Sequence, residues 1–89
     1  MKYVQSTLDK IEKILEDTGY IVRYERGTFQ SGYCILEQKK VVVLNKFLAL
    51  EGRINTLVDI LPQLSIDLYA LTPESRKVYD SIMAKMATE

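Results

Sequence analysis

The chain opens on a helical stripe. Val4, Leu8, Ile11 and Leu15 recur at steps of four, three and four, flanked by Thr7 and Ile14, while Lys10, Glu12, Lys13, Glu16 and Asp17 fill the other side. Gly19 stands where such a helix would stop, because a left-handed residue after the last turn meets no steric clash at glycine. From Tyr20 the period changes. Tyr20, Val22 and Tyr24 alternate with Ile21, Arg23 and Glu25, which assigns the two sets to opposite faces of a strand. Arg26-Gly27-Thr28 reads as a turn, a second extended stretch runs from Ser31 to Leu36, and Glu37-Gln38-Lys39-Lys40 reads as a short hairpin connection. The run Val41-Val42-Val43-Leu44 is strongly β-prone and apolar on both faces, as a central strand would be.

Helical spacing returns near Ala49. Leu50, Ile54, Leu57, Val58 and Leu61 form a stripe that Glu51, Arg53 and Asn55 avoid, and Pro62 closes it because residues before proline shun the α region. In the stretch from Gln63 to Leu71, Leu64, Ile66 and Leu68 alternate, which fits either a strand or an irregular apolar connection. Thr72-Pro73-Glu74 then carries the marks of a helix start, with a hydroxyl cap, a proline in the first turn and a carboxylate near the positive dipole end. Val78, Ile82, Met83 and Met86 give that third helix an apolar side. The order α-β-β-β-α-α defines an α+β class: a three-stranded antiparallel meander with helices on one face.

Composition narrows this without redirecting it. Eighty-nine residues make one domain, spanning residues 1–89. At 47% hydrophobic and 27% charged the chain is of ordinary globular make-up. Twelve basic residues balance twelve acidic ones, which argues against broad electrostatic capture of nucleic acid or anionic lipid and leaves self-association open. The start from Met1 to Ser6 has no apolar signal core, no apolar run is long enough to cross a bilayer, and the single Cys34 cannot form an internal disulfide. The expected compartment is therefore the cytoplasm.

The chemistry available is limited by one fact: the chain has no histidine. The usual general acid–base near neutral pH and the commonest zinc ligand are both missing. Cys34, in a strand between Tyr33 and Ile35, reads as a small hydrophobe rather than a nucleophile. Glu51, Asp59, Asp67 and Glu74 are spaced in no pattern that singles out a catalytic pair. No glycine-rich phosphate loop is present. Arg23, Arg26, Lys39, Lys40 and Lys46 lie near tyrosine-bearing strands, so a sheet that stacks single-stranded nucleic acid is one reading; against it stand the balanced charge and tyrosines spaced as in a half-buried sheet.

Residues 32–61, GYCILEQKKVVVLNKFLALEGRINTLVDIL, carry a resemblance. The segment resembles the strand–strand–helix unit of ImmA/IrrE-type zinc metallopeptidases, and is similar to small bacterial proteins of the Bacteroides group. Asn45 matches the strand-end asparagine of that family, Arg53 its helix arginine, and Thr56-Leu57-Val58 the approach to its zinc motif. The motif then departs. Asp59 stands at the first histidine, Ile60 at the catalytic glutamate and Gln63 at the second histidine, so the resemblance implies the scaffold without its two imidazoles or its base.

The function these readings favour is a non-catalytic protein-interaction or regulatory domain in a bacterial cytoplasm, acting on a protein partner or as a homo-oligomer, with no metal or cofactor expected. Tyrosines support it, since the ring buries large area and keeps a polar tip. Tyr33, Arg53, Asp59, Gln63, Tyr69 and Tyr79 are the candidate interaction surface. The alternatives are a diverged hydrolase with a carboxylate-based or intersubunit site, and the nucleic-acid-binding sheet.

Overall fold

The computed structural model describes residues 2–26 and 33–87. Helix α1, Gln5–Asp17, buries Leu8, Ile11, Ile14 and Leu15. The stripe is shifted from the expected one: Val4 is the extended residue that precedes the helix and is exposed, while Ile14 is fully buried. The helix ends as the sequence predicts. Gly19 adopts φ +88°. Its N–H reaches the Glu16 carbonyl at 3.1 Å, and the Tyr20 N–H reaches Leu15 at 2.8 Å, the paired bonds that close a helix over a left-handed glycine. The buried Thr18 hydroxyl is shared between the Ile14 and Leu15 carbonyls, 3.0 Å from each, so the last turn leaves few acceptors unmet.

Three strands follow: β1 (Ile21–Glu25), β2 (Tyr33–Leu36) and β3 (Val41–Asn45). The expected antiparallel meander is incorrect. The order across the sheet is β1-β3-β2, with β1 parallel to β3 and β2 antiparallel to it. The reason lies in β3 itself. A meander would leave β3 at an edge, whereas Val41 to Leu44 are buried on both faces and need a neighbour on each side. The chain satisfies this by setting β3 between the two earlier strands. The turn expected at Arg26-Gly27-Thr28 and the start of the second strand at Ser31 lie outside the described residues.

The β2–β3 connection is one turn of 3₁₀ helix, Glu37–Lys39, followed by Lys40 at φ 52°. A left-handed lysine is strained, and its peptide is held on both sides. Its N–H bonds Glu37 at 3.1 Å, and its carbonyl accepts the Ile21 N–H at 2.8 Å, the first bond between β3's entry and β1.

In register, Val22, Val42 and Ile35 form one row and Tyr24, Leu44 and Tyr33 the next, all on the face that packs against the helices. The opposite face carries Ile21, Val41 and Leu36, then Arg23, Val43 and Cys34. The alternation predicted for residues 20–25 is therefore the observed one, with Ile21, Arg23 and Glu25 exposed.

Helix α2, Leu50–Ile60, buries Ile54, Leu57 and Ile60. Its α-helical bonding gives way to a 3₁₀ turn, Leu61–Gln63, that contains Pro62 and keeps Leu61 fully buried. Between there and α3 no strand forms. Leu64, Ile66 and Leu71 pack against the core from an irregular segment, interrupted by a 3₁₀ turn at Leu68–Ala70 whose first N–H contact, from Tyr69, goes to the Asp67 carboxylate at 3.0 Å. Helix α3, Pro73–Ala87, starts as predicted: the Thr72 hydroxyl accepts the Ser75 N–H at 3.1 Å. It adds Ile82 to the core and packs Val78, Tyr79 and Met83 against it, with α1 touching both α2 and α3.

Candidate functional site

The most organised polar region lies where β3 hands over to α2. Asn45, the last residue of β3, accepts the Phe47 N–H on its side-chain oxygen at 3.0 Å, while its own carbonyl accepts the Leu48 N–H at 3.1 Å. A short polar side chain capping the residue two positions on is a turn that asparagine makes better than most residues. The Lys46 N–H continues the sheet by donating to Glu25 at 3.0 Å.

Arg53 braces this link from the first turns of α2. Its Nε donates to the Leu48 carbonyl at 3.0 Å and its Nη2 to the Lys46 carbonyl at 2.9 Å. The same guanidinium sits 4.6 Å from the centroid of the Tyr24 ring. Beyond it, the Tyr24 hydroxyl donates to the Glu12 carboxylate on α1. One chain of contacts thus ties α2, the link, β1 and α1 together. Only a planar fork can stack on a ring while donating in its plane, which is why arginine occupies this position.

Tyr24 holds its proton more firmly than an ordinary tyrosine. Burial is the main cause, reinforced by the hydrogen bond to Glu12, by that carboxylate's charge and by Asp9, and opposed by Arg53. The unfolded chain releases this proton near pH 10, at which the native state still keeps it. Stability therefore falls as pH rises above about 10, since the unfolded state then binds fewer protons. Urea midpoints measured at about pH 8 and about pH 11 are expected to show a smaller alkaline loss for Tyr24→Phe than for the parent; equal losses would refute the assignment.

Beside the brace the link turns outward. The Phe47 ring is 69% exposed. Two cations lie over it: the Lys46 ammonium 5.4 Å and the Arg26 guanidinium 5.8 Å from its centroid. None of the ion pairs among the described residues involves either cation; the neighbouring pair is Arg23 with Glu25, at 3.2 Å. This corner was only half legible. Arg26 and Lys46 are evident as basic residues near strands, but Phe47 follows a strand of core residues and reads as one more of them.

The six residues proposed from sequence are dispersed. Tyr33 lies on the helix-covered face of the sheet and packs against the core, as Tyr79 does from α3. Arg53 is engaged in the brace. Asp59 and Gln63 are exposed at the end of α2, where the Gln63 amide donates to the Asp59 carbonyl at 3.2 Å. Tyr69 is fully exposed. Of the tyrosines that a nucleic-acid-binding sheet would use, Tyr20 is buried and Tyr24 is bonded to Glu12, both on the inner face.

Among the described residues no group of three or more His, Cys, Asp and Glu side chains is placed to hold a metal ion. Ile60 is fully buried in the core. Cys34 is half-buried on the outer face of the sheet. An open hollow along Ile35 to Lys39 is built from one consecutive segment and brings no reactive groups together from different elements. No helix among the described residues is long and apolar enough to cross a membrane. Comparison with protein-family models, curated proteins and solved structures finds no match to the chain.

Proposed function

We propose that the chain is a non-catalytic protein-interaction or regulatory domain of a bacterial cytoplasm, built on a scaffold that resembles the ImmA/IrrE-type peptidases without their zinc chemistry. The observation that carries the interaction reading is the exposed Phe47 ring with two cations held over it. A large ring within reach of two cations is suited to serve as an anchor that is covered on binding. Tyr69, fully exposed on its 3₁₀ turn, is a second anchor of the same type.

The scaffold reading draws support from the two residues that suggested it. Asn45 and Arg53 organise the turn from β3 into α2, so their spacing has a structural purpose independent of metal. Support for inactivity comes from α2, whose α-helical bonding ends at Ile60 and whose equivalent of the catalytic base is a core isoleucine.

The test combines solution mass with affinity capture. The expected result is either a defined homo-oligomer or one recurrent protein partner, weakened at least about tenfold by Phe47→Ala or Tyr69→Ala. A monomer at high concentration, together with capture that neither substitution changes, would overturn the proposal.

A further inference from the structure

We infer that the Arg26–Lys46–Phe47 corner is a docking site for an acidic linear segment of a partner protein, with two carboxylates two residues apart on one side of an extended chain. The inference rests on the interaction reading above and names the chemistry of the partner. Three observations carry it.

The first is local charge. The chain is neutral overall, yet at this corner the acidic neighbour Glu25 is paired with Arg23, while Arg26 and Lys46 lie over the Phe47 ring and neither is in an ion pair among the described residues. Positive potential therefore concentrates here although the molecule as a whole has none to spare, and it complements an anion.

The second is spacing. Both cations lie within 6 Å of one ring centroid, so their charges are within about 11 Å of each other. At physiological ionic strength fields add over a Debye length of about 8 Å. In an extended peptide, side chains two residues apart stand about 7 Å apart on one side of the backbone. Carboxylates at such positions span a distance within the reach of two cations that close together. A nucleic-acid strand asks for more: a basic track several nucleotides long with a stacking surface. The inner-face tyrosines do not supply that surface, and two cations make a poor track.

The third is preparation. The Asn45 turn and the Arg53 brace fix the backbone on which Lys46 and Phe47 sit, and both cations lie within 6 Å of the ring centroid before anything binds. A site ordered before binding loses less entropy when it is filled.

The experiment uses the full chain and a fluorescein-labelled twelve-residue peptide in which Glu and Leu alternate one by one, with a control in which every Glu is Gln. Fluorescence anisotropy is expected to show the Glu peptide binding at least about tenfold more tightly than its Gln control, with affinity falling as salt is raised. Phe47→Ala and the double variant Arg26→Gln, Lys46→Gln are each expected to remove most of that preference. These positions are exposed, so both variants should keep the parent's thermal midpoint, which serves as the folding control. Equal binding of the two peptides, or a Glu preference unchanged in both variants, would overturn the assignment. Tighter binding of a labelled twelve-nucleotide oligo(dT) would overturn it in favour of nucleic acid. If the acidic corner fails while a recurrent partner is still lost on Tyr69→Ala, the interaction reading survives it.

Discussion

Replacing Leu44 with alanine is expected to cost about 3–5 kcal/mol, the largest single loss the fold predicts. Leu44 is fully buried in the middle strand, in register with Tyr24 on one side and Tyr33 on the other. Truncation removes its apolar area and leaves a void that two rings anchored on opposite strands cannot collapse into without breaking their own contacts. A domain of this size holds about 5–12 kcal/mol in total, so the variant sits close to half-unfolded at elevated temperature. The urea midpoint should fall sharply with the slope little changed. A loss below about 1 kcal/mol would mean that the strand is less enclosed than its register implies.

The second large effect belongs to Arg53. Arg53→Ala deletes two hydrogen bonds to the link carbonyls and the stacking on Tyr24, and is expected to cost about 2–4 kcal/mol. Arg53→Lys separates geometry from charge. An ammonium restores the charge but cannot stack on the ring and donate to both carbonyls in one plane, so lysine should recover less than about half of the loss. Full recovery by lysine, measured by chemical denaturation, would show that charge alone matters. Backbone amide shifts at Lys46 to Leu48 should move in both variants, because the Lys46 and Leu48 carbonyls lose the guanidinium that donates to them.

Much of the architecture was legible because periodicity reports burial directly. Leu8, Ile11 and Leu15, then Ile54 and Leu57, then Ile82 declare the inner sides of three helices, and Gly19, Pro62 and Thr72 mark their limits. Strand order was not legible in the same way. Alternation tells which face a residue takes and says nothing of which strand lies beside it. The apolar run Val41 to Leu44 contained the answer, since a strand buried on both faces belongs in the middle, and that signal outweighs the economy of a meander.

The candidate site was less legible for a related reason. Arg53 was visible by its position in the resemblance, but its work is done on backbone carbonyls, which no side-chain pattern displays. Phe47 was missed because hydrophobicity cannot distinguish a ring pointing inward from one turned out by the asparagine before it. Tyr33 and Tyr79, candidates for a surface, are half-buried and reach the core from positions beside the main stripes.

The position of β3 also sets a sequence of events in synthesis. As the chain leaves the ribosome, α1 and both outer strands emerge first, and those two strands are not neighbours in the finished sheet. Neither has its partner until Val41 to Asn45 has cleared the exit tunnel. Translation therefore delivers the keystone last of the three: β3 closes a hairpin with the strand just before it and takes the distant β1 on its other side.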